Sequence, residues 1–273
     1  MSIIDAVINA IIPITILPQF SMFADFRTQG VGDVTKFTVR PNTLFTVSKS
    51  AKGERTAVRQ RHFSKDIVIT PIEHEISIYE NLYSVLSSRA DVADFIGWVL
   101  LSVQTAMYKD ALSAFTTGIK AQGTPWKYTG AFDLAQLVKI CETVQAKNNG
   151  IKPIICGSAT ALLNVLPDAS AGFRMNIDGS DAQIELVKTA LGFPVIKLEN
   201  AIDGNDNLLL ASDELYIVVP AADKLVKGVM TAGFSNGNDA FMNADITKDF
   251  TFRKEWDFVY ASAAKGGVYV ISD

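Results

Sequence analysis

Histidine and cysteine are scarce in this 273-residue chain, two of each, and that scarcity excludes much. A placed histidine is the usual base of a catalytic triad, and only His62 and His74 are on offer. His62 sits among Arg59, Gln60 and Arg61, as a surface side chain does. His74 lies between Glu73 and Glu75, so on a strand it points to the opposite face, toward a facing layer. Cys141 and Cys156 are too few for a disulfide scaffold. Neither they nor the histidines have the local paired spacing of a zinc site. Both read as small buried hydrophobes, Cys141 on a helix and Cys156 at a strand end. Asp203, Asn205, Asn207 and Glu214 match positions 1, 3, 5 and 12 of a calcium loop, but Leu208 stands where glycine is needed. A hairpin turn is expected there instead. No phosphate-binding loop, dinucleotide fingerprint or nucleophile elbow occurs. The expectation is a chain with no cofactor, no metal and no catalytic site, and so not an enzyme.

Long hydrophobic runs are missing too. Ile3 to Leu17 is apolar, but Asp5 and Pro13 interrupt it, and it falls short of the ~20 residues that span a bilayer. No Lys or Arg precedes it, so it does not read as a secretory signal. No Asn-x-Ser/Thr acceptor is present. The run reads as an apolar arm that packs on its own subunit or on the next, with no membrane partner and reducing, intracellular synthesis.

What is present is apolar bulk and an uneven charge distribution. Hydrophobic residues make up 48%, with 16 Phe and a mean hydropathy of +0.20. That predicts a sizeable core or a large buried interface and argues against disorder. A pI near 5.3 gives no general case for nucleic-acid binding. Yet Lys36, Arg40, Lys49, Lys52, Arg55, Arg59, Arg61 and Lys65 are opposed within their stretch only by Glu54. That stretch carries +7 on a chain of net −4, leaving −11 for the rest. Its polar tip runs from Ser48 to Glu54, between an outgoing strand (Lys36 to Arg40, resuming from Thr43 to Ser48) and a return strand from Thr56 to Phe63. A hairpin this polar has no core of its own and needs another surface to lie on. Three readings stand: phosphate neutralisation on nucleic acid, a grip on an acidic neighbouring subunit, or a solvated loop. Only Phe37, Phe45 and Phe63 are available to stack bases, thin for a single-strand platform.

The flanking chain supplies a body. A short helix is expected around Asp5 to Ile12, and strands over Ile67 to Thr70 and Ile72 to Tyr79. Val92, Phe95, Ile96, Val99, Leu100, Val103, Met107, Leu112 and Phe115 then recur at helical spacing. They predict a helix from Arg89 to Gly118, ~45 Å long and well beyond the usual three turns. Gly123 to Trp126 reads as a connection. A second helix, Asp133 to Lys147, is closed by Asn148-Asn149-Gly150. Further on, strands are expected over Ile151 to Cys156, Phe193 to Leu198, Leu208 to Ala211, Leu215 to Val219, Thr247 to Phe252, Phe258 to Ala261 and Gly267 to Ser272. Helices are expected over Ser158 to Leu166 and Asp181 to Leu191; Asp223 to Met230 is ambiguous. The fold class is α+β.

This order of parts resembles the tailed-phage major capsid proteins, the fold typified by phage Hong Kong ninety-seven and shared with encapsulin shells. The matching pieces are the extended loop Lys36–Phe63, the strand Ile67–Tyr79, the spine helix Arg89–Gly118, the step Leu191-Gly192-Phe193-Pro194-Val195-Ile196 after a helix, and Ala211 to Ile217 at a sheet strand. The resemblance implies an N-terminal arm (1–32), an extended loop (33–66), a peripheral domain with the spine helix (67–132), an axial domain (133–234) and a return to the peripheral domain (235–273). It also implies homo-hexamers and homo-pentamers in an icosahedral shell around double-stranded DNA, located in the virion capsid after assembly in the host bacterial cytoplasm. The basic residues of the loop would be the inter-subunit contacts. A portal, and separate scaffolding or decoration proteins, would be partners, and DNA would be near without specific binding. About 30 residues precede the loop, too few for a fused scaffolding domain. Lys49 and Lys52 are available as crosslink donors, but no motif fixes an acceptor. An encapsulin-like compartment, with Ser2–Ile12 as cargo-binding helix, is the second reading, and an α/β enzyme with an anionic substrate the third.

Overall fold

A computed structural model describes residues 24–49, 52, 58–81, 92–165, 189–190, 192–198, 200, 202, 207–220, 223–232, 235–238 and 247–272. In chain order its elements are β1 (Ala24–Gln29), β2 (Lys36–Val39), β3 (Lys65–Val68), β4 (Ile72–Asn81), α1 (Val92–Lys120), β5 (Lys127–Gly130), α2 (Leu134–Lys147), β6 (Ile154–Gly157), α3 (Ala159–Leu163), β7 (Thr189–Ala190), β8 (Phe193–Lys197), β9 (Glu214–Val218), β10 (Val226–Thr231), β11 (Ser235–Asn238), β12 (Thr247–Tyr260) and β13 (Gly267–Ile271). The mix is α+β.

Two sheets are built around one helix. In the five-stranded sheet β12 is the centre: β4 pairs along one edge, while β10 and β11 pair along the other, with β1 parallel to β10. The six-stranded sheet runs β5-β13-β9-β6-β8-β7. Its β9 is buried at all five residues, as a strand covered on both faces must be. Tyr216 and Val218 face α1, while Leu215 and Ile217 face α2 and α3.

The apolar positions of α1 predict its role. Val99, Val103, Met107, Ala111, Phe115 and Ile119 are spaced three or four apart and are buried. Toward its C-terminus α1 lies between the sheets. Its core partners are Val226, Met230, Trp256 and Phe258 from one, and Cys156, Tyr216, Val218 and Val268 from the other. Lys120, in its last turn, reaches Glu214 Oε1 at 2.5 Å, and Glu214 Oε2 accepts from the Tyr216 hydroxyl. On the outward stripe Trp98 and Leu101 are exposed, and Ser102 and Thr105 donate back to their own helix at Trp98 and Leu101 carbonyls.

Several expectations need correction. The two strands read at Thr247–Phe252 and Phe258–Ala261 are one, β12. Its charged middle broke the apolar pattern, but Arg253 is placed between Glu73 and Glu75 on β4 at 3.3 Å from each. The strand read at Leu208–Ala211 shrinks to a single bridge between Ile202 and Leu208. Beside it the Asn200 carboxamide takes the place of a neighbouring strand, accepting from Leu210 N–H and donating to Leu210 C=O. Thr189 and Ala190 are strand, not the end of a helix; residues 181–188 lie outside the described residues, as does the N-terminal helix expected at Asp5–Ile12. The ambiguous Asp223–Met230 contains β10, and β5 and β1 were not foreseen.

Candidate functional site

The basic stretch begins as a hairpin and then changes character. Its base is ladder: β2 pairs antiparallel with β3, from Lys36 opposite Val68 to Val39 opposite Lys65, and Thr38 donates to Asp66 at 2.8 Å. Pro41 follows, with no N–H to continue the pairing. The strand expected to resume over Thr43–Ser48 does not form, and neither do the described residues of the return strand, 58–63. Instead the Gln60 carboxamide accepts from Thr46 N–H and donates to Thr46 C=O, both at 2.8 Å. One side chain thus supplies both hydrogen bonds that a facing strand residue would make. Phe45 meets the His62 ring edge-on at 4.0 Å, and Arg61 lies 4.8 Å over Phe63. His62 is therefore a half-buried packing residue of the arm, with Thr43 Oγ1 3.4 Å from its Nδ1.

The root of this arm is fixed to the five-stranded sheet. Phe37 is 1% exposed and packs with Ile69 and Val229. Arg27 covers its ring at 4.4 Å while donating to the Lys36 carbonyl, and Lys227, held by Asp223 at 2.6 Å, lies 6.0 Å from it. Phe37 is thus gripped between two cations on the outer face of the sheet, opposite the face that carries α1. A second contact lies where Asn42 meets the end of α2, with a cleft of about 540 Å³ between the arm and that end.

Lys36, Arg40, Lys49, Lys52, Arg59, Arg61 and Lys65 are all exposed, and Arg55 lies outside the described residues. Among the described residues none of these seven makes an ion pair. The arm also exposes apolar side chains the charge count did not reveal: Leu44 is 83% exposed and Val47 91%, beside Val58 and Phe63. The structure brings the seven cations onto one projecting element but neutralises none of them there. A surface that is both cationic and apolar, and unsatisfied within its own subunit, has the composition of an unmade interface.

The remaining candidates resolve as packing groups. His74 stacks on Trp256 at 3.8 Å, and Asp110 of α1 joins them, 3.4 Å from His74 Nε2 and accepting from Trp256 Nε1. Cys141 and Cys156 are buried, and burial pushes each thiol up to about 12. Among the described residues no group of His, Cys, Asp or Glu is arranged to hold a metal; the calcium-loop positions 203–206 lie outside them.

No family model matches the chain, and no curated protein matches it. Solved structures do. The capsid of a native GTA particle aligns with 93% of this chain and 90% of its own, at a TM-score of 0.63 and 13% identity. The bacteriophage PhiM1 mature capsid aligns with 93% and 87%, at 0.55 and 13%. The SrpI encapsulin of Synechococcus elongatus aligns with 94% and 88%, at 0.54 and 10%.

Proposed function

Because the chain has the fold that tailed-phage capsid proteins share with encapsulin shells, we propose that it is a major capsid protein. Subunits assemble into hexamers and pentamers of a closed icosahedral shell enclosing double-stranded DNA, and the protein is structural, not an enzyme. The observation that carries this reading is the arm. It presents seven cations without an ion pair among the described residues, and four exposed apolar side chains, on a subunit whose remaining charge is −11, and identical neighbours supply what it lacks. Complementary potentials would steer that encounter and set its register. The five-stranded sheet with α1 forms the peripheral region and the six-stranded sheet the axial region; the axial part therefore takes β5 and β13 from outside residues 133–234 and leaves β10 to the peripheral sheet. A portal, and separate scaffolding or decoration proteins, complete the list of partners, and the virion capsid is the location.

The test is direct. Protein expressed alone and concentrated is examined by negative-stain microscopy and by sizing, then treated with nuclease. Closed particles are expected, and particles from infected cells should protect DNA. A stable monomer or dimer at high concentration overturns the shell. Particles that never enclose DNA favour the compartment reading, which rests on the encapsulin among the similar structures.

A further inference from the structure

Beyond its root, the arm hydrogen-bonds the body through Asn42. Its Nδ2 donates to the Lys147 carbonyl and to Asn148 Oδ1, both at 3.2 Å, and its Oδ1 accepts from Asn149 Nδ2 at 3.1 Å. Among the described residues every hydrogen bond between the arm and the end of α2 passes through this one side chain. On either side of it the cleft is open, lined by Arg40, Leu44, Phe45 and His62.

The three asparagines have no freedom of orientation. Asn148 is 2% exposed. Its Nδ2 donates to the carbonyls of Val144 and Lys265, both at 2.8 Å, and its Oδ1 accepts from Lys265 N–H at 3.0 Å. Reversing that amide would set donor against donor and acceptor against acceptor, so Asn148 must present an oxygen to the arm. The Lys147 carbonyl, one of the last on the helix, presents another. Asn42 can therefore meet both only with its nitrogen, which turns its oxygen toward Asn149. Asn149 is placed by its left-handed backbone, φ +58°, in the turn that ends α2. Lys147, Asn148 and Asn149, at the end of the helix, thus form a socket with a fixed order of donors and acceptors, and Asn42 is its plug.

We propose that this knot positions the arm: Phe37 anchors it to the sheet, and Asn42 fixes the direction in which it leaves the subunit. With one anchor the arm would pivot about Phe37; with two it has a set bearing. What the bearing is used for rests on the shell reading, in which it selects the angle between neighbours. The bearing itself does not.

Two measurements separate these statements. Spin labels at Val47→Cys, on the arm, and Lys152→Cys, on the body, report the distance between them in free subunits. Cys141 and Cys156 stay unlabelled, because they are buried and hold their protons. One narrow distance distribution is expected. Asn42→Asp is nearly isosteric but offers acceptors to two acceptors, so the distribution should broaden at least twofold. Asn42→Ala, which removes the amide without adding charge, should broaden it too, and carries the test if the aspartate variant unfolds. An unchanged width in a folded variant overturns the knot. The second measurement is particle diameter: one size for the parent, mixed sizes or open sheets for Asn42→Asp. Variant particles of the parent's single size overturn its role in setting the angle. If the parent forms no particles, the shell reading fails, and the distance measurement still decides the knot.

Discussion

Lys254 is a costly side chain to bury. It lies on the α1-facing side of β12, 3% exposed, and burial lowers its ammonium pKa to about 8. The unfolded chain therefore binds this proton more tightly than the folded one. Between about pH 8 and the ordinary lysine value, folding releases a proton, so this group's contribution rises with pH; below about 8 the full penalty applies. Lys254→Met should accordingly stabilise the subunit by about 3 kcal/mol at pH 7, the free-energy equivalent of the shift. In urea titrations the gap between variant and parent should close as pH passes 10. A gap independent of pH would mean that the amine is not the source. Gly118 makes a different demand. A Cβ built there stands 2.1 Å from Tyr260 Cγ and 2.3 Å from its Cβ, the near end of a ring that cannot swing aside. Alanine normally strengthens a helix by up to about 1 kcal/mol over glycine. Here Gly118→Ala should cost about 2 kcal/mol instead, read as a lower urea midpoint with unchanged slope.

Among the elements, the arm and α1 were legible for opposite reasons. The period of α1 is long and uninterrupted, so its spacing alone predicted a helix ending at Gly118; it ends at Lys120. The arm stood out by charge, and charge yields an experiment: reversing Arg55, Arg59 and Arg61 should abolish assembly while leaving the circular dichroism and melting of the free subunit unchanged. Normal assembly of that variant would remove the electrostatic grip. What charge did not reveal is how the arm is held. Gln60 against Thr46 and Asn200 against Leu210 each replace a strand with one carboxamide. No alternation in sequence marks such a contact, so apolar stretches nearby were misread as ladder. The Asn148-Asn149-Gly150 stop signal was read correctly as a helix end, and Asn148 and Asn149 are also the socket for Asn42. That partner is more than a hundred residues away, and separation of this kind has no local trace. β12 failed as one strand because Arg253, Lys254, Glu255 and Asp257 look like a break. They are tolerated because Arg253 and Glu255 find partners across the sheet face.

At the scale of the molecule, the shared helix joins what chain order separates. β13, at the C-terminal end, pairs with β5 and β9, while β10 leaves the neighbourhood of the six-stranded sheet to lie beside β1. Neither sheet is built from one contiguous stretch, and both bury side chains on α1. The two sheets share one core through α1, and among the described residues the arm beyond Phe37 lies outside it. That contrast gives the arm's unusual construction a consequence. In a true ladder, adding one residue flips every later side chain to the other face. Here the ladder stops at Val39, and beyond Pro41, among the described residues, side chains and not backbone pairing hold the two limbs together, Gln60 clasping Thr46 and His62 meeting Thr43 and Phe45. Length past the clasp is therefore free of the parity rule. Related chains can lengthen or shorten the tip one residue at a time, and a foreign peptide spliced after Ser48 would be carried outward without disturbing the core behind it.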